Sequence, residues 1–169
     1  MSTISRLITV GAASLCLVLF ATPVAHAVSV PITLGYTGVF TVSQEDPSYC
    51  GAGEDLVTDT LTGTGSHLGR FTASYPHCVD FAANWFSGTA TFIAPNGDVL
   101  EVELEGSAAD PACLATGICD VGFTGIITGG TGRFQNAAGT LTGTGEVNLL
   151  ESSVTAELHG SINKNPEPF

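Results

Sequence analysis

Positive charge is the scarcest thing in this 169-residue chain, which holds four Lys and Arg against sixteen Asp and Glu. A groove that tracks phosphates needs clustered basic side chains, so nucleic acid is excluded as a partner. An anionic membrane surface is disfavoured on the same ground. The Gly-rich stretches lack the Lys-Ser/Thr end of a phosphate loop, and Gly63-Thr64-Gly65 with Gly69 misses the dinucleotide spacing. Neither a Gly-x-Ser-x-Gly elbow nor a His-Glu-x-x-His or EF-hand pattern occurs, and there is no Asn-x-Ser/Thr acceptor. The chain also lacks a Cys-x-x-Cys pair and a neighbouring His pair, which argues against zinc. No metal and no cofactor are expected.

What is present divides the chain in two. Arg6, the apolar run 7–21 and the small-residue end Ala25-His26-Ala27 read as a secretory signal peptide cleaved after Ala27. Its apolar core is short for a transmembrane helix. Residues 28–169 then form one domain, secreted or periplasmic, large enough for a real core. They carry all sixteen acids against Arg70, Arg133 and Lys164, a net charge of −13. Such acidity keeps a protein soluble outside the cell. Pro166 and Pro168 break the last residues, so no alternating strand reaches Phe169 and membrane insertion as an outer-membrane barrel is not expected.

Four cysteines remain behind the leader: Cys50, Cys78, Cys113 and Cys119. An even count in an oxidising compartment reads as two disulfides, with three possible pairings. Cys50–Cys78 with Cys113–Cys119 is preferred because each closes a local loop. Loop-closure arithmetic assigns roughly 3.5 kcal/mol to the longer loop and about 2.4 to the shorter.

The domain shows no convincing amphipathic helix. Instead, period-two runs are broken by glycine. Val30, Ile32, Leu34, Tyr36, Gly38 and Phe40 alternate with polar or small residues. Further runs cover 56–64, 68–75 and 86–94. Asn96-Gly97 is a hairpin signal in which both turn positions tolerate φ > 0. Leu100, Val102 and Leu104 then share one face, with Glu101, Glu103 and Glu105 on the other. Successive same-face positions lie roughly 7 Å apart, too far for three glutamates to grip one Ca²⁺, so this is a solvated face. Residues 110–119 read as a loop, followed by strands at 121–128, 141–149 and 154–162. Eight strands with short links predict an antiparallel meander closed into a barrel, all-β and able to hold one small ligand.

Between the sixth and seventh runs lies Thr128-Gly129-Gly130-Thr131-Gly132-Arg133-Phe134, followed by Ala137 and Gly139. This structural turn, on Gly129, Gly130, Gly132 and Arg133, resembles the Gly-Gly-Thr-Gly turn of dirigent proteins and the allene oxide cyclase barrel superfamily. Gly88-Thr89-Ala90-Thr91-Phe92 before Asn96-Gly97-Asp98 is similar to small secreted bacterial members. The resemblance covers residues 55–162. It implies an eight-stranded antiparallel barrel with an apolar lumen, often trimeric, whose relatives cyclise an unsaturated epoxide, steer phenoxy-radical coupling or shape polyketide cyclisation. No catalytic residue of those relatives falls in the matching motif. An enzyme is therefore not the leading expectation, and any activity would be that of a cofactor-free cyclase or isomerase.

Two functions of different class follow. One is a secreted barrel that binds a small apolar molecule in its lumen or shapes its cyclisation. The other is a non-catalytic extracellular scaffold with a packed lumen. For the first, His67, Arg70, Phe71 and Tyr75 are the expected ligand-binding residues, His67 sharing its strand face with Phe71, Ala73 and Tyr75. His77 and His159 read as surface or turn histidines. Trp85 opens a strand and reads as core or interface. Arg133 reads as a salt-bridge partner for a neighbouring acid rather than an anion clamp. Gly143, Gly145, Ala156 and Gly160 on the inward faces fit either a cavity or a tight bend.

Overall fold

The computed structural model describes residues 28–43 and 48–164. The expected signal peptide, residues 1–27, lies outside the described residues, as do 44–47 and 165–169. Eight strands form a closed antiparallel barrel in chain order. They are β1 (Val28–Ser43), β2 (Asp55–Gly65), β3 (Gly69–Asp80), β4 (Trp85–Ile93), β5 (Val99–Ala108), β6 (Ile118–Gly130), β7 (Ala138–Asn148) and β8 (Ser153–Lys164). Closure comes from β8 pairing back on β1, with Leu34 opposite Leu158 and Tyr36 opposite Ala156. It leaves no unpaired sheet edge among the described residues.

Alternation sorts the side chains as expected. Ile32, Leu34, Tyr36 and Phe40 face inward, as do Leu100, Val102 and Leu104, while Glu101, Glu103 and Glu105 face out. Two local expectations need correction. The 94–97 turn closes with Gly97 N donating to Ala94 O at 2.9 Å, and Gly97 alone has positive φ there. Pro95 presets the second turn position and glycine takes the fourth, so the primed two-residue turn gives way to a longer one. In the segment read as loop, Pro111–Ala115 forms a 3₁₀ turn, capped by Asp110 Oδ1 accepting from Ala112 N at 2.9 Å.

The barrel has two unlike ends. At one end, Ile32, Leu34, Phe71, Phe92, Leu141 and Ile162 fill the lumen, with Phe71 and Phe92 edge-to-face at 5.3 Å between centroids. Phe134 completes this plug. Its 3₁₀ turn, Gly132–Phe134, folds the side chain of the Gly-Gly-Thr-Gly corner into full burial. The corner is glycine-rich for a steric reason. Gly132 has φ +58°, and a Cβ there would meet the Asp98 carboxylate. Gly143 is inward-facing for the other reason named above: a Cβ would run into Glu157 O of β8. It serves close strand approach, not cavity space.

The other end is left open. It carries both disulfides, Cys50–Cys78 and Cys113–Cys119, in the pairing preferred from loop length. The first ties the β1–β2 loop to β3. The second closes the loop between β5 and β6, and Leu149 N donating to Gly117 O at 2.7 Å joins that loop to the β7–β8 turn.

Candidate functional site

The open half of the lumen holds a cavity of about 120 Å³, counted at water centres. One water occupies roughly 10–15 Å³ on that measure, so the space suits a compact organic molecule. Its wall is apolar and aromatic: Phe40, Val57, Phe86, Val121, Phe123 and Val154 contribute, with Val42, Phe81, Trp85 and Leu114 around the mouth. Phe86 and Phe123 meet edge-to-face at 5.4 Å. Shallower depressions on the outer wall, lined by Thr89, Thr124 and Thr142 or by Thr37, Thr62 and Thr144, face away from the lumen.

Three polar side chains stand inside this apolar wall, with Asp80 and Asn84 beside them at the β3–β4 loop. Asp59 lies on β2 between inward Val57 and Leu61, opposite Phe40 of β1 and Tyr75 of β3. Its residue is 6% exposed and it has no hydrogen-bond partner among the described residues. Burial raises its carboxyl to about 7, so it sits half protonated near neutral pH. Tyr75 is buried and its hydroxyl donates to Leu104 O at 3.0 Å. His77 is stacked on Tyr75, centroids 4.2 Å apart and planes 15° from parallel. Its Nδ1 lies 3.0 Å from Tyr75 O, a carbonyl that can only accept, so Nδ1 carries the proton and Nε2 is the free acceptor. Burial lowers the His77 pKa and keeps the ring neutral. Deeper in, Tyr36 is pushed upward first by burial and then by the charge of Asp59.

The residues expected to bind ligand are scattered by the structure. Tyr75 lines the cavity. Phe71 points into the lumen but belongs to the packed half, against Phe92. Arg70 stands exposed on the outer wall opposite Thr64. His67 does not share the Phe71 face: it sits in the β2–β3 turn at φ +69°, its Nε2 2.9 Å from Pro31 O. β3 begins only at Gly69, so its inward face does not reach back to His67. Among the other singled-out residues, Trp85 opens β4 at the cavity mouth, 43% exposed, and His159 is exposed beside Glu157 at 3.6 Å. Arg133 Nε lies 3.0 Å from Asp98 Oδ2 with its N–H off the axis to the oxygen, an ion pair held by charge more than by a hydrogen bond.

Two residues of the site escaped the sequence reading. His77 belongs to the buried row Phe71, Ala73, Tyr75, His77, and counting two past Tyr75 would have found it. Asp59 carried the stronger signal, an acid at an inward position of an alternating run.

No protein-family model matches the chain, and no curated protein sequence matches it. Among solved structures it is similar to the pterocarpan synthase dirigent protein GePTS1, with a TM-score of 0.53 and 13% identity over 90% of this chain and 98% of that one. At that identity the likeness shows architecture, and the architecture is a dirigent-like eight-stranded barrel.

Proposed function

We propose that this protein binds a small, largely apolar molecule in the open half of its barrel and holds it in one conformation, so shaping any reaction it undergoes. The observation that carries this reading is the cavity itself: an aromatic-walled space in an otherwise filled lumen, with Asp59, Tyr75 and His77 as its inner polar groups and Asp80 and Asn84 nearer the mouth. Ligand sites have this composition, apolar walls that supply affinity and a small number of polar groups that set orientation. Orientation alone accelerates a cyclisation by fixing the reacting ends near one another. Asp59, with a pKa near 7, is the group suited to exchange a proton during such a step. The similarity to a dirigent protein named for pterocarpan synthesis supports a scaffold that guides a reaction, and the motif resemblance extends this to the allene oxide cyclase barrel group. A scaffold with its lumen packed shut is the weaker alternative, because the cavity leaves space in the open half of the lumen. Secretion accords with the two disulfides.

Native mass spectrometry of protein purified from its own host tests the reading. A retained small organic adduct, lost on mild activation, is the expected result. Bare protein mass, together with no binding of 2-phenylethanol by NMR, would overturn it.

A further inference from the structure

The charges of the molecule are not spread evenly along the barrel axis. Arg133 lies in the β6–β7 corner and Arg70 one residue into β3, both at the closed end, and Lys164 ends β8 at that same end. The open end has no Lys or Arg among the described residues, and its loops and strand ends carry Glu54, Asp55, Asp80, Asp110, Asp120 and Glu151. An acidic rim alone is a solvated surface. Here, however, it leads to Asp59, a residue only 6% exposed that lines the cavity and has no hydrogen-bond partner among the described residues. Buried polar groups in folded proteins have partners, and a lone buried carboxyl is an exception that calls for one. An ionised carboxylate only accepts, so its best complement brings both donors and positive charge.

We propose that the lumen's ligand is a small amine: its ammonium group lies against the Asp59 carboxylate while its apolar body fills the space lined by Phe40, Phe86, Phe123 and Val154. This rests on the lumen-binding reading and adds the charge of the ligand to it. The acidic mouth draws a cation inward and repels an anion. The exposed rings of Trp85 and Phe81 at the rim offer π faces on the way in. Once inside, the ammonium favours the ionised carboxylate, and below neutral pH Asp59 gives up its proton to solvent as the amine binds.

The groups facing Asp59 leave this titration readable. β1 brings Tyr36, and β3 brings Tyr75 and His77, with Asp80 at the rim. Both tyrosines are pushed upward by burial and stay neutral, and His77 is pushed down and stays neutral. Inward positions of β4 to β8 carry no titratable side chain among the described residues, Cys119 being in a disulfide.

The test compares 2-phenylethylamine, 2-phenylethanol and phenylacetate, three probes of one shape, by NMR titration and calorimetry on the full mature protein. At pH 8 the amine is expected to bind about tenfold or more tightly than the alcohol, and the acetate not to bind. Amine affinity should fall below pH 7 by up to about tenfold per pH unit, with proton release seen as a buffer-dependent heat. Asp59→Asn should remove the amine's advantage over the alcohol and its pH dependence, with the amide NMR spectrum showing that the barrel is still folded. If the alcohol binds as well as the amine at pH 8, or if Asp59→Asn leaves the amine's advantage in place, the cationic ligand is wrong and the lumen reading stands. If none of the three binds, both fall together.

Discussion

The carboxylate of Asp98 occupies the space that a Cβ on residue 132 would need. The Asn96-Gly97 turn and the Gly-Gly-Thr-Gly corner are thereby keyed into each other. Arg133 pairs with Asp98 across the contact, and Val99 N donates to Thr131 Oγ1 at 3.2 Å beside it. Gly132→Ala must therefore both adopt a left-handed backbone and displace the carboxylate. We expect a loss of about 2 kcal/mol or more in urea unfolding. Arg133→Ala removes a partly solvated ion pair and should cost about 1 kcal/mol or less. If the arginine substitution proves the more damaging, steric keying is not what holds the corner.

Asp59 makes stability depend on pH with an unusual sign. Its folded pKa, about 7, lies above its unfolded value of 3.8. The folded state then binds the extra proton, so this contribution is fully present below pH 4 and is lost as pH rises toward 7. The shift corresponds to roughly 4 kcal/mol at most. His77, shifted downward, acts the other way and adds stability as pH rises toward 6.5. The difference between wild type and Asp59→Asn isolates the carboxyl: the variant should gain on wild type steadily from pH 4 to 7 and hold that gain above. A difference curve flat across this range would mean that Asp59 ionises normally.

Filling the cavity should abolish binding without unfolding the barrel. Val154 is buried on the cavity wall. Val154→Phe projects a ring into existing space, so its stability cost should stay within about 1 kcal/mol, below the usual range for overpacking. Affinity for 2-phenylethanol should drop at least about tenfold. Unchanged affinity would place the ligand elsewhere.

The two disulfides should differ in what they protect. Both sit at the open end, away from the packed plug. Replacing Cys113 and Cys119 with serine removes a short loop worth about 2.4 kcal/mol, and replacing Cys50 and Cys78 with serine removes a longer one worth roughly 3.5. Amide exchange should rise in residues 109–117 for the first variant and in 48–54 for the second, with β3 and β7 near the plug still protected. Uniform loss of protection in either variant would show that the plug does not hold the barrel alone.

The barrel was legible because alternation survives in every strand. Glu101, Glu103 and Glu105 against Leu100, Val102 and Leu104 fix the faces of β5 with no knowledge of its neighbours. The site was less legible because it depends on depth along the barrel axis, which period two does not encode. Phe71 and Tyr75 share a face, yet one is in the plug and the other in the cavity. Arg70 is a rare cation and His67 sits close before the Phe71 face, but an outward position and a turn keep both out of the lumen. Asp59 was one acid among sixteen, set apart in the sequence only by its inward place between Val57 and Leu61.

Among the described residues the Phe134 plug leaves the lumen one door, so a ligand bound as proposed would lie in a well. Traffic through such a vessel is strictly last in, first out: an occupant leaves by the path it entered, and nothing can push it through from behind. Exchange between two ligands then requires an empty interval. Whatever covers the mouth therefore governs residence time without touching affinity for the wall.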